Sequence, residues 1–300
     1  MKILAVGAIF MDIKGYPLEH FDPKGRNVGT LEYVHGGVIR NIAEDFANMG
    51  ANCEILSVLD ETSLSGEVLK RLSSRGVDTS HITFTADGLG TWLAIFDEKG
   101  DVYSSISKRP VLLPIISQID RAEKDIFDNI TSVVVDISDE KEMLERVFEA
   151  ADKYHIPVYA AVSNMSEAMN NQELFSKPYC LVCNKQEAGI LLNDDYEDLN
   201  KEEVLTILSQ RKDIPTDCLV VTLGNEGACY ISKKEGCGIC DSFPSNVKDT
   251  TGAGDAFFAG LVYALSCGAG MKKACETGSY IAARTIETID NVCPIEKIIL

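Results

Sequence analysis

Two aspartates, Asp249 and Asp255, flank a run of small residues in the stretch DTTGAGDAFFAG. The apolar residues that follow predict a buried helix. The backbone N–H groups of Gly252, Ala253 and Gly254 could then converge on an anion at the helix N-terminus, where the helix dipole adds positive potential. A carboxylate beside such an anion loop can orient an attacking hydroxyl group and accept its proton in phosphoryl transfer. The segment therefore favours a phosphate-handling site, the alternative being that Asp255 only begins a helix and Asp249 only forms a turn.

The stretch HGGVIRNIAEDFANMG ends a β-like segment at Gly36 and Gly37 and continues as a predicted helix. Paired glycines let a ligand approach the backbone, and the Asn41 side chain offers a polyol both a donor and an acceptor. Arg40 and Asn41 fall in the first turns of the helix, and we expect both to face the same sheet edge as Asp255. All four are candidate substrate-binding residues, unless the segment is a plain strand–turn–helix junction.

Two further segments carry polar or glycine residues at the end of a predicted strand. Asn184 and Glu187, three residues apart in CNKQEAGILL, can face one site. The same spacing also suits a helix cap, with Asn184 as N-cap and Glu187 as the third helical residue. In TLGNEGACYI, Thr222 ends a buried strand, and Gly224 and Gly227 shape a turn that can lie against a nucleotide or merely reverse the chain.

Short β-rich runs alternate with amphipathic helices along the chain. Strands of continuous Val, Ile and Leu that alternate with helices indicate a parallel sheet covered on both faces. The predicted strands span 2–10, 53–58, 132–137, 157–162, 179–183 and 218–223, and the predicted helices span 38–49, 65–75, 140–154, 185–192, 201–211 and 253–267. Without a composition break or a long linker, residues 1–300 are expected to form a single α/β domain.

Two segments interrupt this alternation and predict antiparallel additions to the sheet. Residues 11–35 carry turn residues and short β patches, and residues 89–107 are typical of a hairpin with its turn near 97–100. Such additions often cover a site at the C-terminal ends of parallel strands, or form the edge at which an oligomer assembles. We therefore expect a small β-sheet lid, and a homodimer formed through that lid.

The charge balance and the missing motifs argue against several classes of protein. A net charge of −18 opposes binding to nucleic acid or to an anionic membrane. No apolar run approaches the roughly 18 residues of a membrane span, and the N-terminus becomes polar too soon for a signal peptide, so a cytoplasmic protein is expected. The sequence has no GxxxxGK[ST] loop and no GxGxxG after the first predicted strand, and its four histidines are dispersed.

Ten cysteines include two CxxC pairs, Cys180/Cys183 and Cys237/Cys240. Four such residues could hold a structural zinc ion. Positions three apart on a buried strand point to opposite faces, however, which opposes a metal site at the first pair. Reduced cytosolic thiols are the simpler expectation.

Together these motifs resemble those of the ribokinase-like, or phosphofructokinase-B type, carbohydrate and nucleoside kinases. DTTGAGDAFFAG resembles the C-terminal signature of that family, and HGGVIRNIAEDFANMG resembles its N-terminal signature. NKQE is similar to its NxxE motif, and TLGNEGA to its nucleotide-side glycine turn. The resemblance implies a Rossmann-like α/β fold, a mostly parallel sheet sandwiched by helices with a small β-sheet lid. It also implies ATP-dependent phosphorylation of a hydroxymethyl group.

The resemblance implies a role for individual residues as well. Asp255 is implied to be the base, and the backbone of residues 252–254 the anion hole, while Asp12 and Asn41 hold substrate hydroxyls beside Gly37. On the donor side, Asn184 and Glu187 are implied to organise the triphosphate and Mg²⁺, Glu187 through water, with Thr222, Gly224 and Gly227 lining the ATP side. Asp249 and Thr251 match the monovalent-cation loop of the family. Residues 284–294, RTIETIDNVCP, depart from its small-residue pattern, so the need for K⁺ stays open.

The acceptor is less well defined by these motifs. GGVxRN, with Arg40 before Asn41, is more similar to pseudouridine kinases than to ribokinases, and the lid could place Trp92 or Tyr103 against a base. The cations that could hold a phosphosugar form no evident cluster; they are Arg26, Lys108 and Arg109. We therefore expect a nucleoside acceptor, pseudouridine first, with an unphosphorylated sugar such as ribose or fructose next. Two alternatives stay open: a catalytically silent nucleoside- or sugar-binding protein on the same fold, and a dinucleotide-binding oxidoreductase, which the missing glycine fingerprint opposes.

Overall fold

The protein is described by a computed structural model over residues 1–295. Its strands are β1 (Lys2–Val6), β2 (Phe10–Pro17), β3 (Gly29–Gly36), β4 (Asn52–Leu59), β5 (Ile82–Phe84), β6 (Gly90–Phe96), β7 (Val102–Lys108), β8 (Ser132–Asp136), β9 (Val158–Ala161), β10 (Cys180–Asn184), β11 (Cys218–Thr222), β12 (Ala228–Ser232) and β13 (Gly236–Cys240). Its helices are α1 (Val38–Asn48), α2 (Ser63–Arg75), α3 (Pro114–Phe127), α4 (Lys141–Lys153), α5 (Met165–Ala168), α6 (Lys185–Leu192), α7 (Lys201–Gln210), α8 (Ala253–Ser266) and α9 (Met271–Ile286).

The larger sheet has nine strands within the described range, in the order β13-β12-β11-β10-β9-β8-β1-β4-β5. All neighbours from β11 to β5 pair in parallel, and β12 and β13 add an antiparallel edge. The order reverses at β1, which pairs with β4 on one side and β8 on the other. In open parallel sheets, ligands bind beyond the carboxyl ends of the strands at such a reversal.

Helices cover both faces of the larger sheet because its strands are apolar on both sides. Along β1, Ile3 and Ala5 belong to the core under α1, α2, α8 and α9, whereas Leu4 and Val6 belong to the core under α3, α4, α6 and α7. Helix α8 is buried continuously from Ala256 to Ala264 and packs between α9 and α1. The predicted fold, a mostly parallel sheet sandwiched by helices, is confirmed.

The smaller sheet has the strand order β3-β2-β6-β7 and contains both segments predicted as additions. Strand β2 pairs antiparallel with β3 and parallel with β6, so the two segments form one sheet. Asp12 lies between Val34 and Trp92 in this register, and the three side chains share one face. The opposite face carries five large apolar side chains that are 36–69% exposed: Leu31, Tyr33, Leu93, Ile95 and Ile106.

Two predictions about the elements were wrong. The first predicted strand, 2–10, is two strands: β1 ends at Val6, the chain turns at Gly7 with φ of +146°, and Phe10 begins β2 in the other sheet. Helices α3, α5 and α9 were not predicted. Small and polar residues interrupt the apolar spacing of α9, MKKACETGSYIAARTI, although most of its residues are buried.

Cys180 and Cys183 lie on opposite sides of the larger sheet, as their spacing on a strand requires. In the second pair, Cys237 is exposed and Cys240 is buried. No helix within residues 1–295 is long and apolar enough to cross a membrane.

Candidate active site

The side chains of Asn41 and Asp255 meet beyond the carboxyl end of the larger sheet. Asn41 Nδ2 donates a hydrogen bond of 2.7 Å to Asp255 Oδ2. Asn41 Oδ1 is buried and has no hydrogen-bond partner among the described residues. A buried amide oxygen without a partner is costly, so this atom is suited to accept a hydrogen bond from a ligand hydroxyl group.

Asp255 has the electrostatic properties of a base that works near neutral pH. Burial raises its pKa to about 7, while the Asn41 hydrogen bond and the positive charge of Arg40 oppose that rise. The charge of Asp136, the last residue of β8, adds to it. A carboxylate with a pKa near the working pH can accept a proton and still be ionised in a substantial fraction of the resting enzyme.

Asp12, Gly36 and Gly37 lie together at the junction of the two sheets. A Cβ atom at position 36 would lie 2.5 Å from Asp12 Oδ1, so only glycine leaves that carboxylate its place. Gly37 has φ of +92°, and its Cβ would lie 2.9 Å from the Phe10 nitrogen. Burial raises the pKa of Asp12, and the charges of Lys14 and Arg40 oppose that effect.

The segment from Gly252 to Gly254 forms the N-terminus of α8. Gly252 is the N-cap with φ of +80°, and a Cβ there would overlap the carbonyl group of Asn291. A Cβ at Gly254 would meet no atom within 4 Å. The loop is therefore packed behind Gly252 and open at Gly254, where a phosphoryl group could approach the helix N-terminus.

Asp249 begins the turn that leads into this loop. Its Oδ1 accepts a hydrogen bond of 2.8 Å from the Thr251 N–H. That bond is the main reason for the lowered pKa of Asp249, to which the charge of Lys14 contributes. Asp249 is thus an ionised turn residue next to the anion loop.

A cavity of about 490 Å³ lies on the other side of the loop. Five predicted site residues line it: Thr222, Gly224, Gly227, Ala253 and Gly254. Its apolar wall includes Phe243, Val247, Phe257, Ala282 and Ile286. A concave site with an apolar wall and a glycine-rich rim has the shape and chemistry to hold the base and ribose of a nucleotide.

Asn184 and Glu187 form a capping box at the start of α6, so the helix-cap interpretation of this pair is confirmed. Asn184 pairs with Thr222 across β10 and β11, which places the pair at the rim of the cavity. The capping box uses Glu187 Oε2, which accepts a 2.7 Å bond from the Asn184 N–H. Burial raises the pKa of Glu187, and the nearby charge of Asp136 adds to it.

The Arg40 side chain is not open to a bound substrate, although its position in the motif suggested that it binds one. Its side chain is fully buried and donates to Glu44 Oε2 at 3.0 Å, to the His35 carbonyl and to Asn291 Oδ1 at 3.3 Å. Because its guanidinium group is bound to other protein groups, Arg40 acts on Asp12 and Asp255 through its charge and through the residues that it holds.

Trp92 and Tyr103 were the candidate acceptor contacts on the smaller sheet. Trp92 shares a face with Asp12, and the Tyr103 ring packs on Phe21, with ring centroids 4.7 Å apart. The three cations considered for a phosphosugar are not brought together. Arg26 is exposed beyond β2, Lys108 pairs with Asp87 at 3.4 Å, and Arg109 pairs with Asp139 at 3.3 Å.

Three residues at the site were not predicted from the sequence. Lys14 lies two positions after Asp12 on β2, and its charge acts on both Asp12 and Asp249. Asp136 ends the buried run SVVVD, and a carboxylate at that position of a parallel strand is a signal that could have been used. Asn291 lies within residues 284–294, which the resemblance linked to the cation loop, but only the folded chain places its carbonyl group behind Gly252.

Comparison with known proteins identifies the family. The pfkB family of carbohydrate kinases matches residues 1–296. A guanosine-inosine kinase from Exiguobacterium acetylicum is 28% identical over 97% of this chain and 96% of its own length. The pseudouridine kinase of Escherichia coli K12 is 22% identical over 86% of this chain and 82% of its own.

Solved structures share the fold. An Arabidopsis thaliana ribokinase complexed with ribose and ATP has a TM-score of 0.82 at 19% identity, covering 96% of this chain and 93% of that one. Since the family match extends over residues 1–296 of the 300-residue chain, this protein belongs to the pfkB family of carbohydrate kinases and is a phosphotransferase that acts on a hydroxyl group.

Proposed function

We propose that the protein transfers the γ-phosphoryl group of ATP to the hydroxymethyl group of a nucleoside. Guanosine or inosine is the first candidate acceptor and pseudouridine the second. The observation that carries the proposal is the 2.7 Å contact between Asn41 and Asp255, which joins the N-terminal acceptor motif to the anion loop. A base positioned in this way is not needed by a silent binding protein, so the geometry favours an enzyme.

In the proposed reaction, Asp255 accepts the proton of the acceptor hydroxyl as its oxygen attacks the γ-phosphorus. Asp12 and Asn41 Oδ1 hold neighbouring hydroxyl groups and so fix the angle of attack. The N–H groups at the start of α8 stabilise the negative charge of the phosphoryl oxygens as they are transferred. ATP is proposed to bind with its base in the 490 Å³ cavity and its phosphates towards Gly254.

Trp92 supports a nucleoside rather than a free sugar. It pairs with Asp12 across β2 and β6 on the same face of the smaller sheet, so the two side chains can contact one ligand. A ring above the acceptor position can stack on a base, a contact that a free sugar cannot use. Guanosine and inosine come first because the guanosine-inosine kinase matches nearly the whole chain, and pseudouridine follows because of the GGVxRN motif.

Mg²⁺ and K⁺ are part of the proposal. Glu187 Oε1, which is outside the capping box, and the neighbouring Asp136 are hard oxygen donors, and Mg²⁺ is usually held by one or two carboxylates, water and substrate phosphates. When bound, Mg²⁺ would neutralise charge on the phosphates.

The ionised Asp249 carboxylate beside the Thr251 backbone suits a monovalent cation. Replacing K⁺ with tetramethylammonium is therefore expected to lower turnover.

The smaller sheet is proposed to act as a lid on a single kinase domain and to join two copies of the chain. Its outward face carries five exposed apolar side chains on neighbouring strands, more than a monomer's surface usually groups together. A second copy offers the same face, so a two-fold contact buries both.

We also propose that the enzyme works in the cytoplasm on small molecules, without nucleic acid or membrane partners, since the net charge is −18.

The acceptor can be tested by initial rates with ATP and Mg²⁺ for guanosine, inosine, pseudouridine, uridine, adenosine, ribose and fructose. We expect the highest kcat/KM for guanosine or inosine and a 5′-monophosphate product in ³¹P NMR spectra. Trp92→Ala should lower nucleoside kcat/KM about tenfold while Trp92→Phe does not, because base stacking is worth about 1–3 kcal/mol. Turnover of sugars alone would overturn the nucleoside proposal, and a thermal shift without turnover of any acceptor would favour a silent binding protein.

A further inference from the structure

The anion loop rests on a short C-terminal segment, residues 288–293, which we call the strap. Gly252 packs so closely on the Asn291 carbonyl group that no side chain fits between them. Val292 and Cys293, the last two residues of the strap, are each 2% exposed. The position of the strap therefore sets the position of the loop from behind.

Helix α1 holds the strap at two places. Arg40 Nη2 donates to Asn291 Oδ1 at 3.3 Å. Further along the helix, Asp45 Oδ1 accepts a 2.6 Å bond from the Cys293 N–H, and Asn48 Nδ2 donates to the Cys293 carbonyl at 2.7 Å. Asn41, which contacts Asp255, lies on the same helix. Helix α1 therefore contacts both Asp255, the proposed base, and the strap that supports the loop.

Helix α2 holds the strap through one ion pair. Arg71 Nη2 lies 2.8 Å from both carboxylate oxygens of Asp290. The other side of the same guanidinium group binds Glu44 on α1, with Nη2 2.8 Å from Oε1 and Nε 2.9 Å from Oε2. Arg71 thus joins α1, α2 and the strap.

Glu44 is the centre of this network. It is fully buried and binds Arg40 at 3.0 Å, Arg71 at 2.8 Å and Arg75 at 3.3 Å. A buried carboxylate needs such partners, because burying an unpaired charge is costly. Rigid paired geometry of this kind holds helices in one relative position more firmly than apolar contacts, which can slide.

We propose that Arg71 and Asp290 are positioning residues for phosphoryl transfer: they hold the strap, and through Asn291 the anion loop, in register with Asn41 on α1. This rests on the proposed function, in which the loop and Asp255 carry the reaction. The effect belongs to kcat, because a misplaced loop loses transition-state contacts while the acceptor contacts of Asp12 and Asn41 remain. Displacements near 1 Å at a reacting group can cost about a hundredfold in rate.

The test uses Arg71→Gln, Asp290→Asn and the double variant. We expect each single variant to lower kcat about tenfold with the acceptor KM changed less than twofold, and the double variant to resemble the singles, since either change breaks the same ion pair. The matched control is Arg146, which is exposed to a similar degree (19% against 24%) and also bridges two carboxylates, Asp120 and Glu123. Arg146→Gln and Asp120→Asn should leave kcat unchanged.

Hydrogen exchange measured by mass spectrometry gives a readout that does not depend on activity. In Asp290→Asn, amides of residues 249–255 should exchange faster, while those of α6 should not. A lower melting temperature with normal kcat and normal exchange at 249–255 would show a merely structural role and overturn the proposal. If the wild type phosphorylates no acceptor, the proposed function fails, and the exchange data still decide whether the strap positions the loop.

Discussion

Asn41 on α1 donates a 2.7 Å hydrogen bond to Asp255 on α8, a residue 214 positions later in the chain. This contact stabilises the charged form of a carboxylate that burial would otherwise neutralise, and it acts together with the charge of Arg40. The pKa of about 7 for Asp255 is therefore a balance between burial and two neighbours on one helix. Changing a neighbour should move that balance in a direction that can be measured.

The pH dependence of kcat/KM should follow the ionisation of Asp255. The base must be unprotonated, so kcat/KM for the acceptor is expected to rise with pH up to about 7 and then level off. Asn41→Ala removes the hydrogen bond that favours the charged form. The rising part of the pH profile of kcat/KM should therefore shift to higher pH, by about one unit. A rise that stays at the same pH, or shifts to lower pH, would contradict the assignment of Asp255.

Asp255→Asn should lower turnover and raise stability at the same time. Loss of the base is expected to reduce kcat about 10²–10⁴-fold with acceptor binding retained. Because the folded pKa is raised from 3.8 to about 7, the wild-type protein loses stability as pH rises through that window, and Asn cannot ionise. The variant should therefore melt at a higher temperature than the wild type at pH 8, and this difference should shrink towards pH 4. Near-normal turnover would rule out Asp255 as the base.

Gly252→Ala should destabilise the anion loop by more than the free-energy cost of its positive φ angle. The residue has φ of +80°, and its Cβ would also overlap Asn291. Gly76 ends α2 with φ of +90° and has open space around it, so Gly76→Ala measures the cost of the angle alone, about 1 kcal/mol. The melting temperature and kcat should both fall further for Gly252→Ala than for Gly76→Ala. Equal losses would mean that the Asn291 contact does not constrain the loop.

Ile106→Asp should separate a dimer formed through the smaller sheet. Ile106 is 69% exposed and lies opposite Leu93 on the apolar face, so a carboxylate there would be buried at a two-fold contact. Ile190→Asp on α6 is the control, since Ile190 is 48% exposed and outside that sheet. Light scattering coupled to size-exclusion chromatography should show a dimer for the wild type and the control, and a monomer for Ile106→Asp. A monomeric wild type would exclude the proposed dimer.

Local sequence was enough to predict most elements that position the site. The strand at 218–223 and the helix at 253–267 are found at Cys218–Thr222 and Ala253–Ser266, because apolar periodicity and glycine boundaries act over a few residues. The spacing of Asn184 and Glu187 likewise allowed a helix cap, and the capping box is present. The first strand was too long in the prediction because an apolar run continues from β1 into β2 although the chain changes sheets at Gly7.

Tertiary structure alone decided what each motif residue touches. Arg40 and Asn41 are neighbours in one motif, yet Asn41 contacts Asp255 while Arg40 is fully buried against Glu44 and Asn291. The pKa of Asp255 and the strap contact at Gly252 likewise depend on atoms brought together from distant parts of the chain. The sequence by itself determined the elements, the family signatures and the order of the motifs, because these rest on local patterns. Burial, charge pairing and the direction of each side chain depend on long-range packing, which only the fold supplies.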